Sequence, residues 1–142
     1  MGSYFADKKN GVNANGYERR LGGRMGLYAR VSMDGETLVI GSTHKLSSHV
    51  EDVSRFIGTS KAISGGDQYN AFCKKTGLES KGNQAHKTWP ASCNWFGRAR
   101  GDNVCSNLEL AGPEMVSKPC LDAYGIKAQL SDHAIIMTAF RI

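Results

Sequence analysis

The sequence lacks long apolar runs, has little proline and shows no leader pattern. No apolar run approaches the roughly 20 residues that cross a bilayer, so we expect no membrane span. Three prolines stand against seventeen glycines, which indicates many turns and short strands. The N-terminus has no basic segment followed by an apolar one, and we therefore expect an intracellular protein.

Closely spaced cysteines are also lacking. Cys73, Cys93, Cys105 and Cys120 form no CxxC pair, which excludes the common zinc and redox motifs. Two disulfides are possible, but without a secretory signal we expect free thiols. Metal binding by three of these cysteines with His86 is a weaker alternative, because the spacing is unlike that of zinc sites.

The length and composition predict one globular domain. The chain has 142 residues, of which 40% are hydrophobic and 22% charged, enough for a core of its own. The net charge is +5 and the isoelectric point is about 9.1. A basic balance favours polyanionic partners such as nucleic acid or phosphorylated substrates.

The first 24 residues differ from the rest of the chain. Residues 1–24 are polar, basic and rich in Gly and Asn, and we interpret them as a loop or arm that could contact nucleic acid. Apolar and polar residues alternate from 25 to 33, and Asp34-Gly35 and residues 36–42 follow. This pattern predicts a β-hairpin with a two-residue turn. Residues 25–142 are therefore expected to form the folded domain.

Helices and strands alternate after the hairpin. Ser48 and Glu51 form a capping box that opens a helix, and Gly58 ends it. A short strand over 61–64 and a short helix over 71–75 follow. The sequence therefore predicts a mixture of helices and strands.

A long irregular segment covers residues 78–101, and a loop of this length is more often functional than idle. Its Trp89 and Trp95 are expected to pack in the core, with base stacking as the alternative. Residues 102–110 and 115–121 are predicted as further strands.

Ser131-Asp132-His133 precedes an apolar run over 134–142. The run is short and apolar on both faces, which predicts a buried strand. A strand fixes the residues at its mouth, so the Asp-His pair would be preorganised for chemistry. The simpler alternative is a turn aspartate followed by a surface histidine.

Three other polar groups are expected at strand ends: Thr43-His44, Gly66-Asp67 and Asp102. Taken in order with Ser131-Asp132-His133, they resemble the C-terminal half of the endonuclease/exonuclease/phosphatase (DNase I-like) superfamily. Its signatures are a strand ending in TH, a strand ending in GD-x-N, a strand opened by Asp, and SDH before the last strand. The resemblance covers roughly residues 25–142.

The resemblance implies an α/β (α+β) fold, a four-layer sandwich of two mixed sheets flanked by helices, with only its C-terminal half present. It also implies metal-dependent phosphoester hydrolysis, as in phosphodiesterases and nucleases. His133 would be the general base, Asp102 would orient it, Asp67 would position the water, and His44 would donate to a phosphate oxygen.

The same resemblance implies a Mg²⁺ ion, with Mn²⁺ as the alternative, held by Asp67 and Asp132. Phosphate would be bound by His44, Gln68 and Asn70. The family has Asn where this chain has Tyr69, and the amides here are Gln68 and Asn70 on either side of it.

The N-terminal half of the family fold, with its metal-binding Glu, has no counterpart that we can match. The resemblance therefore implies a missing half or a partner subunit. The alternative function is a catalytically degenerate relative that serves as a binding or assembly subunit, with nucleic acid as a candidate partner. The substrate cannot be chosen from the sequence, because the family acts on DNA, RNA, phospholipid headgroups and inositol phosphates.

Overall fold

A computed structural model describes residues 2–6, 24–44, 50–67 and 70–142. The fold is a mixed α+β arrangement dominated by strands. Its largest element is a six-stranded sheet in the order β1-β2-β3-β4-β6-β5. The strands are β1 (Gly2–Ala6), β2 (Arg24–Met33), β3 (Glu36–His44), β4 (Lys61–Asp67), β5 (Glu79–Ser80) and β6 (Asn103–Ser106).

The predicted hairpin is confirmed and forms the middle of this sheet. Met33 pairs with Glu36 across the turn. Asp34 and Gly35 both have positive φ, 51° and 80°, as a type I′ turn requires. β3 runs on to His44 and pairs in parallel with β4, so these two strands end at the same edge of the sheet.

Two helices cover one face of the sheet. α1 (Val50–Ile57) and α2 (Asn70–Lys75) pack on Tyr28, Val39 and Cys105 in one buried cluster. The predicted stop at Gly58 is confirmed, since Gly58 has φ 56°. Capping by Ser48 lies outside the described residues.

The other face of the sheet carries Leu27 and Ile40, which are 54% and 43% exposed. Side chains alternate between the faces of a strand. Leu27 and Ile40 therefore lie opposite Tyr28 and Val39, which are buried under the helices. Because these apolar residues are exposed, this face of the sheet is only partly covered by other elements among the described residues.

The C-terminal third of the chain forms two small antiparallel sheets. β7 (Met115–Ser117) pairs with β10 (Ile135–Met137), and β8 (Cys120–Ala123) pairs with β9 (Ile126–Gln129). None of the helices in the described ranges is long and apolar enough to cross a membrane.

Several sequence-based boundaries need correction. Gly2–Ala6, expected within a loop or arm, form an edge strand on β2; residues 7–23 lie outside the description. The strand predicted over 102–110 is shorter, Asn103–Ser106, and the one over 115–121 divides into β7 and β8. The sequence does not predict the β8–β9 hairpin, because the alternation of apolar and polar residues in its two strands is short.

The closing run is also less regular than predicted. Only Ile135–Met137 of residues 134–142 form a strand, and Ile135 and Met137 are 43% and 42% exposed. The expectation of a strand buried on both faces is therefore wrong. A run that is apolar on both faces predicts that both faces of the strand are packed against something. The pattern does not show whether this chain itself provides the packing on both faces.

The expectation of free thiols is wrong. Cys73 is bonded to Cys105, and Cys93 to Cys120, which also rules out the cysteine metal site. The partners are 32 and 27 residues apart, so spacing alone does not indicate the pairing. Because disulfides persist in oxidising compartments, the pairing weakens the reason for expecting an intracellular protein, and that location stays a prediction.

Candidate active site

The backbone around His133 is fixed by the irregular segment that precedes β6. The amide of Ala91 donates to the carbonyl of Asp132 at 2.7 Å, and the amide of Ala134 donates to the carbonyl of Thr88 at 2.8 Å. These two bonds bracket His133, so its backbone is held without a long regular strand behind it.

Asp102 and His133 form a close pair. The Nδ1 atom of His133 lies 2.8 Å and 3.1 Å from the two carboxylate oxygens of Asp102. The side chains are 31% exposed for His133 and 19% for Asp102. Since an ionised carboxylate only accepts hydrogen bonds, Nδ1 carries the proton in the neutral ring, and Nε2 presents its lone pair.

The Nε2 side of the ring meets Asp132 and Trp89. Nε2 lies 4.0 Å from Oδ1 of Asp132, and the indole Nε1 of Trp89 donates to Oδ2 of the same carboxylate at 3.2 Å. The Trp89 and His133 ring centroids are 6.4 Å apart. Asp132 thus has one oxygen held by the indole and the other directed towards the imidazole.

Trp89 is a site residue that the sequence analysis did not select. The sequence predicts Trp89 and Trp95 in the core, but the two are 40% and 50% exposed. The useful signal was its place in a long irregular segment, which is typical of functional loops. Composition alone could not show that its indole faces Asp132.

Gly101 allows Trp89 and His133 to approach the start of β6. A Cβ at this position would lie 2.9 Å from Cβ of Trp89 and 3.4 Å from Cε1 of His133. Its amide donates to the hydroxyl of Thr88 at 2.9 Å. Any larger residue would therefore displace the groups around the imidazole.

His44 and Asp67 lie side by side at the sheet edge. They are register partners of β3 and β4, and Gly66 pairs with Asn103. Asp102 directly precedes Asn103, so the backbones of all three predicted site residues reach the same edge. The side chain of His44 is exposed, whereas only the backbone of Asp67 is described.

The two predicted amide contacts cannot be placed. Gln68 lies outside the described residues, and Asn70 is described only as the first residue of α2. Their roles stay predictions.

A cleft of about 350 Å³ opens beside Asp102. Gly65 and Gly66 of β4 form one wall, and Ala134 and Ile136 form another. The cleft lies between the large sheet and the segment that follows His133, and it gives a small group access to the start of β6.

The donor set in the described part of the chain does not complete a magnesium site. No group of three His, Cys, Asp or Glu side chains among those residues is placed to hold a metal. The carboxylate of Asp102 is bonded to His133, which leaves Asp132, 67% exposed at its side chain, as the nearby acidic donor. Mg²⁺ usually keeps several waters and is held by one or two carboxylates. Asp132 would supply one of them, and the side chain of Asp67, the other predicted ligand, lies outside the description.

A second histidine–carboxylate pair lies outside this cluster. Nδ1 of His86 is 2.8 Å from Oε2 of Glu114, whose side chain is 1% exposed. Arg100 donates to both Glu114 oxygens, at 2.8 Å and 2.7 Å. Burial raises the pKa of Glu114, but the Arg100 and His86 hydrogen bonds, the Arg100 charge and the Asn83 amide outweigh it and hold that pKa below its ordinary value.

The chain was compared with protein-family models, curated proteins and solved structures. No family model and no curated protein matches it. Beta toxin from Staphylococcus aureus is similar in structure, with a TM-score of 0.53 and 16% identity over 82% of this chain. The aligned part spans 57% of the toxin chain.

Two structures of TDP2 from D. rerio are also similar, at lower scores. A form humanized by 14 mutations gives a TM-score of 0.47 at 18% identity, covering 84% of this chain and 61% of that one. A complex with single strand DNA product gives 0.46 at 17% identity, covering 84% and 62%.

The likeness to beta toxin shows a fold of the DNase I-like class. More narrowly, the chain is similar to beta toxin over little more than half of that protein's length. Partial coverage agrees with the prediction that only part of the sandwich is present.

Proposed function

We propose that this chain is a metal-dependent phosphoester hydrolase, or half of one, of the phosphodiesterase or nuclease type, in which His133 activates water. The observation that carries the proposal is the Asp102–His133 pair. The proposal also draws on the strand register, which brings the backbones of His44 and Asp67 to the same sheet edge as Asp102.

The proton transfer follows from the bonding of the ring. Nε2 of His133 removes a proton from water while the water oxygen bonds to phosphorus and the bond from phosphorus to the leaving oxygen breaks. The ring is then a cation, which the Asp102 carboxylate stabilises through Nδ1–H. Asp67 is proposed to position the water, and His44, Gln68 and Asn70 to contact phosphate oxygens.

Mg²⁺ or Mn²⁺ is proposed as the cofactor, with Asp67 and Asp132 as ligands. Such an ion would neutralise phosphate charge. Because the described donors do not complete its coordination shell, further ligands are expected from a missing sandwich half or partner subunit. The exposed Leu27 and Ile40 support such a second layer.

Hydrolysis of bis-p-nitrophenyl phosphate by the chain supplied with the missing half, with and without Mg²⁺, tests the proposal. We expect metal-dependent turnover that falls about a thousandfold in His133→Ala, the range of a lost general base. His86→Ala is the matched control, since His86 also bonds a carboxylate through Nδ1, and it should keep its activity. Equal losses in the two variants would contradict the assignment of His133.

A binding or assembly subunit is the alternative function. It is favoured by Tyr69 in place of the family's Asn and by the incomplete donor set among the described residues. The net charge of +5 would suit nucleic acid. Absence of hydrolysis when the missing half is supplied, together with salt-dependent binding of DNA, would favour this alternative.

A further inference from the structure

A second pocket lies on the other side of the β7–β10 sheet from the catalytic cleft. Met115 pairs with Met137 across this sheet. Because directly paired side chains share a face and successive ones alternate, the two methionines lie on the face opposite Ile136. Ile136 lines the cleft beside Asp102, whereas Met115 and Met137 line a pocket of about 830 Å³. Among the described residues, none lines both cavities.

Trp95 and Phe96 form an aromatic wall of this pocket, above a floor made by the two methionines. Trp95 is 50% exposed, Phe96 37% and Met115 58%. Contiguous exposed apolar side chains mark ligand grooves or contact surfaces. A cavity of this size, lined by aromatic and apolar side chains with a few polar groups, is typical of a site for a small molecule.

The aromatic wall is held in place by the backbone. Ser92 and Trp95 close a tight turn, in which the amide of Ser92 donates to the carbonyl of Trp95 at 2.8 Å. Cys93, within the turn, is disulfide-bonded. Gly97 has φ 102°, and a Cβ there would lie 2.5 Å from the carbonyl carbon of Trp89. The wall is therefore formed before a ligand binds, which lowers the entropy cost of binding.

The accessible charges of the pocket are positive. Lys87 and Lys118 line it and are exposed, and the ammonium of Lys118 lies 5.2 Å from the ring centroid of Phe96. In the described part of the chain, neither lysine forms a salt bridge. The lining carboxylate of Glu114 is buried and already held by Arg100. A ligand therefore meets two unpaired cations and a neutralised carboxylate.

We propose that this pocket binds a small aromatic anion. The ring of the ligand would pack on the aromatic wall, because aromatic rings stack offset on one another, and thioether sulfurs of the floor make favourable contacts with ring edges. Its acid group would pair with the ammonium groups of Lys87 and Lys118. This binding goes beyond hydrolysis at the Asp102–His133 pair, and it is measured without any turnover.

Equilibrium dialysis of the full chain against 2-naphthoate and its neutral amide, 2-naphthamide, tests the proposal. We expect one site that binds 2-naphthoate about tenfold more tightly than the amide, because only the acid pairs with the lysines. Lys87→Gln/Lys118→Gln should remove that difference. Trp95→Ser should weaken the binding of both probes about tenfold, since both rings lose the same packing area.

Lys74→Gln/Lys127→Gln is the matched control. It removes the same number of charges from exposed positions outside the lining of the pocket, so it should bind 2-naphthoate as wild type does. Circular dichroism should show the wild-type fold in every variant.

Three results of the dialysis would overturn the proposal: no saturable binding of 2-naphthoate, equal affinities for the acid and the amide, or equal losses in the two lysine double variants. A dimer that Trp95→Ser dissociates would also overturn it, as would loss of probe binding when the missing half is supplied. In either case the pocket would be a protein interface.

Discussion

Two histidine–carboxylate pairs in the described part of the chain have almost the same local geometry. In both, Nδ1 of the histidine lies 2.8 Å from a carboxylate oxygen, for His133 with Asp102 and for His86 with Glu114. They differ in what surrounds the carboxylate. Glu114 is 1% exposed and held by both arms of Arg100, whereas Asp102 is 19% exposed and borders an open cleft.

This difference separates a structural pair from one that is available for chemistry. The charge of Glu114 is already balanced by the guanidinium of Arg100, which donates to both of its oxygens. Among the described residues, no arginine donates to both oxygens of Asp102. The Nε2 atom of His133, on the other side of the ring, lies 4.0 Å from Oδ1 of Asp132. A histidine–carboxylate distance alone therefore does not identify a catalytic pair.

The largest expected effect comes from replacing Asp102 by Asn. The amide can donate to Nδ1, which would favour the tautomer with the proton on Nε2, and that ring cannot accept a proton from water. Hydrolysis of bis-p-nitrophenyl phosphate should fall about a thousandfold, within the range for general-base catalysis. The unfolding midpoint in urea should change little, because the side chain is partly exposed.

The control for Asp102→Asn is His133→Ala/Asp102→Asn. If the two residues act as one unit, the double variant should be no slower than His133→Ala. Additive losses would show that Asp102 acts on something other than the imidazole.

Glu114→Gln should show the reverse pattern. It leaves the Arg100 charge buried, at 8% exposure, without its anion, and breaking a buried pair in this way costs about 3 kcal/mol. Urea unfolding should report that loss. Catalysis measured well below the unfolding midpoint should stay within about twofold of wild type, since no transition-state contact is removed.

If the Glu114–His86 pair influences the Asp102–His133 pair, the Glu114→Gln variant should lose activity while it is still folded. Arg100 donates through Nε to the backbone carbonyl of Asp102, so the structure offers a route for such coupling. Glu109→Gln, at an exposed acidic position, is the charge-matched control.

The sequence predicted the elements that depend on local rules. The Asp34-Gly35 turn and the helix stop at Gly58 follow from the backbone freedom that these residues need. It also placed His44, Asp67 and Asp102 at strand ends, and the register brings their backbones to one edge. Residue type and alternation suffice for such predictions.

Long-range pairing was not predictable in the same way. The partner of Cys73 is 32 residues distant, and the indole of Trp89 reaches Asp132 across 43 residues. The Glu114–Arg100 pair gave no signal, because neither residue stands in a motif. These contacts depend on how the irregular segment over 78–101 folds back on the sheet. The local pattern of apolar and polar residues does not predict that folding.

The smallest expected effect is a pH dependence that belongs to Glu114 alone. Its folded pKa is lowered, because Arg100, His86 and Asn83 outweigh the effect of burial. A carboxyl with a lowered folded pKa contributes stability that is fully present above its unfolded value, about 4.3 for Glu. That contribution is lost as the pH falls through the folded pKa.

Urea unfolding from pH 7 down to pH 3 measures this dependence in wild type and Glu114→Gln. Because the other carboxyls titrate in both proteins, the difference between the two curves isolates Glu114. The difference should be constant at neutral pH and should shrink once the pH falls below the ordinary range for Glu. A difference that stays constant to pH 3 would place the Glu114 proton outside the folding equilibrium, and the Arg100 pairing would then not account for the stability of this pair.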